Sequence, residues 1–141
     1  MDVLVDATIW SLALRRRSQE LNSRERRLVN EWAELVRSGR ARIIGMVRQE
    51  LLSGMKTPAH FESLRKNIAV FRDELVDTED HEAAAEAGNR CRWRGIAVSP
   101  IDMLICAVAQ RRGMSIFTTD PDFENYARVL ALKLHSVSGA K

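Results

Sequence analysis

The chain has 141 residues, a usual size for one domain with one hydrophobic core, so we predict a single domain over residues 1–141. Its 45% hydrophobic and 29% charged residues exclude a disordered chain. The sequence contains no long uncharged apolar run of the kind that forms a membrane span or a secretion signal. We therefore expect a cytoplasmic protein without a membrane partner.

The net charge of +3 comes from 18 arginines and only four lysines. Arginine suits phosphate groups, and clustered arginines favour nucleic-acid binding, although they are equally typical of solvated helix faces. Both interpretations stay open here. The groups are Arg15 to Arg17; Arg24, Arg26 and Arg27; Arg37, Arg40 and Arg42; Arg90, Arg92 and Arg94; and Arg111 with Arg112.

Cysteine and histidine indicate neither a disulfide framework nor a zinc site. Cys91 and Cys106 lack C-x-x-C spacing, and Cys106 falls in an apolar helical pattern typical of a buried thiol. The three histidines lie far apart in the chain, which indicates surface or structural roles.

The first predicted element is a buried strand that delivers a carboxylate to its end. Val3 to Val5 run straight into Asp6, and a helical pattern follows from Ile9 to Leu14. In an open parallel sheet, ligands bind beyond the carboxyl ends of the strands, so Asp6 stands where chemistry is expected. Thr8 adds a hydroxyl that could hold this carboxylate. The alternative is that Asp6 or Thr8 only caps the helix.

A long helix and a second strand follow. Asn22 and Glu25 form a capping-box pattern for a helix that Gly39 ends. Ile43-Ile44 is short and apolar enough for a buried strand, and a helix is predicted from Met46 to Gly54.

Glu50 lies on that helix, at the edge of its apolar face, and a solvated role is its simple alternative. Thr57-Pro58 supplies a cap and a first-turn proline for another helix. Leu75-Val76 is predicted as a brief extended link. A further helix then begins near Thr78, among acids that suit a helix start, and ends at Gly95.

The last third of the chain repeats the helix-strand pattern. Ser99-Pro100 and Asp102 form a helix start, and apolar residues at spacings of three and four predict the most strongly amphipathic helix of the chain. Ser115 to Thr118 predicts a buried strand that leads to Asp120, and the alternation from Leu130 to Leu134 predicts an edge strand. Strands alternating with helices indicate an α/β fold with a parallel sheet covered on both faces.

Four acids can meet at one edge of such a sheet. Asp6 and Asp120 each follow a strand, Asp102 lies in the first turn of a helix, and Glu50 lies on a helix after the second strand. Carboxylates held close together repel each other unless a divalent cation neutralises them, and Mg²⁺ or Mn²⁺ suits an all-oxygen site. Such a cation can activate a water and stabilise charge on a phosphate. Asp122 is a supporting or alternative ligand, and capping is the alternative role for Asp102 and Asp120.

Four blocks occur in this order along the chain: Val3 to Trp10, Gln49 to Gly54, Asp102 to Ala107 and Phe117 to Phe123. Together they resemble the signature blocks of PIN domains, with most similarity to the VapC-type toxins of toxin–antitoxin pairs. The resemblance implies a three-layer α/β/α sandwich and a Mg²⁺- or Mn²⁺-dependent endoribonuclease. The metal-binding and catalytic residues that it implies are Asp6, Glu50, Asp102 and Asp120, supported by Thr8 and Asp122.

The same resemblance implies three partners. These are a transfer RNA or ribosomal RNA substrate, an antitoxin that crosses the groove near the acids, and a second copy of the chain in a homodimer. Leu12, Leu28 and Trp32 could line the antitoxin groove, but a core role is an equal alternative.

Three other classes of protein fit the sequence less well. A non-catalytic RNA- or protein-binding module would share the basic surface, but four acids would weaken its affinity for RNA. An aspartyl phosphatase would need a second aspartate where Thr8 stands. A response-regulator receiver domain would need paired acids near the first strand and a lysine after the last buried strand. We therefore predict a metal-dependent ribonuclease that acts as a toxin.

Overall fold

The computed structural model describes residues 1–137, and within them the strands form one parallel sheet in the order β3-β2-β1-β4. β1 pairs with β2 on one side and with β4 on the other, and both of these pairings are parallel, as is that of β2 with β3. The strands are β1 (Val3–Val5), β2 (Ala41–Ile44), β3 (Asp73–Glu74) and β4 (Ser115–Phe117).

Helices cover both faces of this sheet. Crossovers between parallel strands are right-handed, and the chain moves outward from β1 to β3 before it returns past β1 to β4. The helices before and after β3 therefore lie on opposite faces, which confirms the predicted α/β/α sandwich. The α-helices of the described residues are α1 (Ala7–Leu14), α2 (Ser23–Arg37), α3 (Gly45–Leu52), α4 (Pro58–Ile68), α5 (Thr78–Trp93), α6 (Pro100–Arg112) and α7 (Asp122–Tyr126), with a 3₁₀ turn at Ser18–Glu20.

The predicted helix starts are confirmed by their hydrogen bonds. The Asn22 side chain accepts from the Glu25 backbone N–H at 2.8 Å, and the Glu25 carboxylate accepts from the Asn22 N–H at 3.0 Å. Thr57 caps α4 and Ser99 caps α6, each by accepting one backbone N–H, from His60 and Asp102 respectively. These side chains satisfy N–H groups that the first helical turn leaves without a partner.

Two predictions about apolar segments are wrong. Residues 103–109 of α6 are all buried, because α6 lies between the sheet and α5, so it is a central helix rather than an amphipathic one. The segment from Leu130 to Leu134 forms only one bridge, between Leu134 and Ile116. The expected alternation does not hold, because Leu130 is buried with 2% of its surface exposed whereas Leu134, which would share its face in a strand, is 36% exposed.

Other expectations are corrected in detail. The third strand lies at Asp73–Glu74, just before the predicted link at Leu75-Val76. Leu12 and Leu28 belong to the core, so the core alternative is right for them. Trp32 is half-buried and packs edge-on against Trp10, with 5.6 Å between the ring centroids.

The remaining expectations concern chemistry and location. Cys91 and Cys106 are both free and buried, and the burial of Cys106 confirms the prediction made for it. Within residues 1–137, no helix combines the length and the apolar character that crossing a membrane requires. The single domain over residues 1–141 stays a prediction, and Lys141, counted above among the lysines, lies outside the described residues.

Candidate metal centre

The predicted acids lie at the carboxyl edge of the sheet, where the strand order reverses. The chain leaves the neighbouring strands β1 and β4 at this edge. The Asp6 N–H donates to the Phe117 carbonyl at 2.9 Å, which holds Asp6 beside the segment that follows β4. Open α/β sheets bind ligands in the crevice at such a switch point.

Two hydroxyl groups hold the Asp6 carboxylate. Asp6 is only 5% exposed, and its Oδ2 accepts from Thr118 Oγ1 at 2.7 Å and from Thr8 Oγ1 at 3.1 Å. Thr8 Oγ1 also accepts from the Thr119 N–H at 3.1 Å, which ties the loop after β4 to α1. Asp6 makes no side-chain capping bond to α1, so the capping alternative does not describe its carboxylate.

Three carboxylates form a compact group. Asp102 comes from the first turn of α6, Asp120 from the turn between β4 and α7, and Asp122 from the first residue of α7. Each offers one oxygen, and these oxygens lie within 4.8 Å of one another. The Asp122 N–H donates to Asp120 Oδ1 at 2.9 Å, so the capping alternative for Asp120 holds in part. Oxygens this close together are candidate ligands for one metal ion.

Tyr126 positions the carboxylate of Asp102. Its hydroxyl donates to Asp102 Oδ2 at 2.6 Å, while the Asp102 N–H donates to Ser99 Oγ at 3.1 Å. The backbone N–H of Asp102 therefore takes part in capping α6, and its side chain remains available to the candidate metal centre. Burial and the carboxylates of Asp6 and Asp120 raise the pKa of Asp102, although the Tyr126 hydrogen bond opposes this. Burial and that same hydrogen bond raise the pKa of Tyr126, so its hydroxyl remains a donor.

Glu50 stands at the rim of the site. It is exposed on α3, and partial desolvation of its carboxylate is the main cause of its raised pKa. The negative charges of Asp6, Asp102 and Asp120 raise the pKa further, which places Glu50 in the same electrostatic field. We call Asp6, Glu50, Asp102, Asp120 and Asp122 the acid cluster.

The acid cluster has no cation of its own within residues 1–137. Every salt bridge among these residues involves other acids. Uncompensated carboxylates at short range favour either a bound proton or a bound metal ion. Their all-oxygen donor set suits a hard divalent cation.

The structure groups the predicted residues differently from the sequence. Asp102 and Asp120 lie together as predicted, but the third member of the compact group is Asp122, which had only a supporting place. Asp6 and Glu50 lie outside that group and interact with it through charge. The role of each acid as a metal ligand stays a prediction.

Sequence reasoning gave no role to Thr118 or Tyr126. Tyr126 follows Asp122 by four residues on α7, a spacing that puts two residues on one helix face. That spacing could have indicated Tyr126 if α7 had been predicted to reach it. Thr118 directly follows a buried strand, as Asp6 does, and this shared position could have indicated that the two side chains meet.

One arginine pair, for which nucleic-acid binding and a solvated helix face were both left open, has a structural role. Arg111 and Arg112 bind the fully buried Asp80, with nitrogen–oxygen distances of 2.5 and 2.8 Å, and Arg111 also contacts Asp77 and Glu79. These guanidinium groups hold the pKa of Asp80 well below its usual range. We call Asp80, Arg111 and Arg112 the Asp80 network.

Comparison with known proteins defines the class of this chain. The family model of the PIN domain matches residues 3–129, so the chain belongs to the PIN domain family. This match includes every residue of the acid cluster. A search of curated proteins finds no match.

Solved structures share the fold at low sequence identity. FitAcB from Neisseria gonorrhoeae has a TM-score of 0.73 and 16% identity, over 95% of this chain and 96% of that chain. VapBC2 from Rickettsia felis, bound to a DNA fragment from their promoter, has a TM-score of 0.72 and 16% identity, over 96% and 98%. A toxin–antitoxin complex from Klebsiella pneumoniae has a TM-score of 0.64 and 16% identity, over 86% and 90%. At these identities the likeness supports the fold alone.

Proposed function

We propose that this PIN domain is a Mg²⁺- or Mn²⁺-dependent endoribonuclease that acts as the toxin of a toxin–antitoxin pair. The observation that carries the proposal is the acid cluster at the switch point of the sheet, where no cation within residues 1–137 compensates the carboxylates. RNA supplies the phosphodiester that such a cluster, loaded with metal, is suited to cleave.

The donor set fits a divalent cation. Asp102, Asp120 and Asp122 would hold it, and Asp6 and Glu50, whose charges reach Asp102 and its neighbours, would complete the site. When bound, the cation would activate a water and stabilise negative charge on the phosphate.

The side chains around the acids keep the site in place before substrate arrives. Thr8 and Thr118 fix the Asp6 carboxylate, and the Tyr126 hydroxyl fixes that of Asp102. Such preorganisation lowers the entropy lost when metal and RNA are positioned. Exposed arginines such as Arg24 and Arg26 would attract the RNA backbone.

The proposed partners follow from the PIN fold and from the resemblance to VapC-type toxins. A chain of the same fold occurs in the Klebsiella pneumoniae toxin–antitoxin complex, which supports a cognate antitoxin for this chain. We include a homodimer in the proposal on the resemblance alone. A toxin that cleaves transfer or ribosomal RNA would act in the cytoplasm.

The test is cleavage of a total RNA pool by the purified chain in Mg²⁺, Mn²⁺ or EDTA, with the variant Asp6→Asn. Asp2→Asn is the matched control. Asp2 lies at the other end of β1 from Asp6, and its carboxylate forms a surface salt bridge with Arg42. We expect discrete fragments with metal from the wild type and Asp2→Asn, and none from Asp6→Asn or in EDTA. Metal binding without cleavage would contradict the ribonuclease. RNA binding without metal or cleavage would favour the binding module instead.

A further inference from the structure

A cleft of about 580 Å³ opens between the turn after α1 and the turn between α3 and α4. Arg15 and Arg17, from the turn after α1, line one side of the cleft. Lys56 lies in the turn between α3 and α4, and His60 lies on α4. Side-chain donors from Ser63 and Asn67 of α4 add to the lining, and we call this the basic cleft.

The basic cleft and the acid cluster both lie at the carboxyl edge of the sheet. His135 packs edge-on against Phe117 at the carboxyl end of β4, with ring centroids 5.1 Å apart, and forms a hydrogen bond with Glu31 of α2 at 2.5 Å. Glu31 is thus level with this edge of the sheet, while the end of α2 leads to the amino end of β2. The eight residues of α2 before Glu31 make up about 12 Å of helix that leads away from the amino end of β2, and the turn after α1 lies at that end of α2.

The same helices connect the acids to the basic cleft. α1 begins directly after Asp6 and ends at Leu14, which lines the cleft. α3 carries Glu50, and two residues after α3 ends the cleft lining begins at Gly54. The α1 helix is only about 12 Å long. An RNA strand bound at the acid cluster therefore needs only a few more nucleotides to reach the basic cleft.

The charges of the basic cleft lack partners inside the protein. Within residues 1–137, Arg15, Arg17 and Lys56 form no salt bridge. Arg16, between the two arginines, instead turns to Glu20 and Glu25 at 3.7 Å from each. Glu20 is the one carboxylate among the residues that line the cleft, so three fixed positive charges face a single negative one.

The lining suits a phosphate backbone better than an acidic helix of a protein. Cationic and polar side chains outnumber the apolar ones, which are Leu14, Met55 and Leu64. A helix that docks in a groove needs a continuous row of apolar anchors, whereas phosphates need cations and hydrogen-bond donors. The acid cluster also repels a polyanion, so affinity for RNA has to come from cations nearby.

We infer that the basic cleft binds the phosphate backbone of the RNA beside the bond that is cleaved. This inference rests on the proposed function for the identity of the polyanion. It assigns Arg15, Arg17 and Lys56 to substrate binding and leaves them no part in the chemical step.

The test is the salt dependence of RNA binding by the full chain carrying Arg15→Gln, Arg17→Gln and Lys56→Gln. All three side chains are exposed, so the variant should fold. Binding of a labelled single-stranded RNA is titrated at several salt concentrations without metal, where no cleavage interferes. Each lost phosphate contact lowers the slope of log K against log salt by about 0.7, so we expect a decrease of about two.

The matched control removes three exposed positive charges that lie outside the cleft lining, with Arg37→Gln at the end of α2, Arg72→Gln just before β3 and Lys133→Gln. We expect this control to keep nearly the wild-type slope. A cleft variant with the slope of the control, or a wild type that binds no RNA, overturns the inference. Loss of affinity for a glutamate-rich peptide with RNA binding unchanged would assign the cleft to an acidic protein segment and also overturn it.

These outcomes are separate from those of the proposed function. A decreased slope in a chain that cleaves no RNA would support the cleft and contradict the nuclease. If the chain does cleave RNA, the cleft variant should raise KM and leave kcat unchanged, because the acids are intact.

Discussion

The acid cluster and the Asp80 network both place acidic side chains near the core, several in the cluster and Asp80 alone in the network, but the charges around these acids are opposite. Asp80 is fully buried, and the guanidinium groups of Arg111 and Arg112 lower its pKa. In the acid cluster, burial and neighbouring carboxylates raise the pKa of Asp102, and partial desolvation and the same kind of repulsion raise that of Glu50. A buried acid that has its own cations stabilises the fold, whereas a group of acids without them is suited to an external cation.

The largest expected effect separates activity from stability. Asp102→Asn should reduce cleavage by more than about 100-fold, the upper range for a residue that only supports a metal ligand. It should not lower the free energy of unfolding in EDTA, since it removes a charge that its neighbours repel. Cleavage rates and urea unfolding of the same preparation check both parts. An active variant would remove Asp102 from the site.

Asp80→Asn should show the reverse. Removing one partner of a buried ion pair leaves charge uncompensated, so we expect the free energy of unfolding to fall by about 3 kcal/mol. Cleavage per folded molecule should stay at the wild-type level, because the network contacts none of the cluster acids. Urea unfolding followed by circular dichroism measures the change. A loss below about 0.5 kcal/mol would place Asp80 among ordinary surface pairs.

The contrast between the acid cluster and the Asp80 network explains which features could be predicted from the sequence. Strand ends in a parallel sheet share one edge, so apolar runs leading into Asp6 and Asp120 were enough to predict where the acids meet. The capping box of Asn22 and Glu25 depends only on residues three positions apart, so the start of α2 could also be predicted from the sequence. The buried pairing of Asp80 with Arg112 spans 32 residues and depends on how α5 packs against α6, which no local pattern contains.

The same reason accounts for the details of the site that were missed. Asp122 joins the compact group, and Tyr126 reaches Asp102, because α7 folds back over the start of α6. The position of a short helix after a loop depends on tertiary packing. Periodicity also could not distinguish a central helix such as α6 from an amphipathic one, since both place apolar residues at spacings of three and four.

Lowering the pH should change the contributions of Asp80 and Asp102 to folding stability in opposite directions. The folded pKa of Asp80 is lowered, so its stabilising contribution is complete above its unfolded pKa of about 4 and is lost as the pH falls through the folded value. The pKa of Asp102 is raised, so the folded state binds its proton more readily and stability falls as the pH rises from about 4 through the folded value.

Urea unfolding in EDTA across a series of pH values measures both slopes. Relative to the wild type, Asp102→Asn should gain stability at neutral pH and lose this advantage as the pH falls toward 4. Asp80→Asn should be less stable at neutral pH, and its deficit should shrink below pH 4. Differences that do not vary with pH would contradict the assigned pKa directions.

The smallest expected effect concerns the hydroxyl that positions Asp102. Tyr126→Phe keeps the ring that packs against Phe123 and removes only the hydrogen bond to Asp102. We expect a loss of about 1 kcal/mol in stability at most and a roughly tenfold weaker metal affinity. Thermal unfolding and a metal titration check the two numbers. Unchanged metal affinity would limit Tyr126 to packing.

The most direct measurement of the central claim is a Mn²⁺ titration by calorimetry of the wild type, Asp102→Asn and Asp80→Asn, each under conditions where it is folded. We expect the wild type and Asp80→Asn to bind Mn²⁺ with equal affinity and Asp102→Asn to lose this binding. Equal binding by Asp102→Asn, or none by the wild type, would contradict the claim that the uncompensated acids form a metal site.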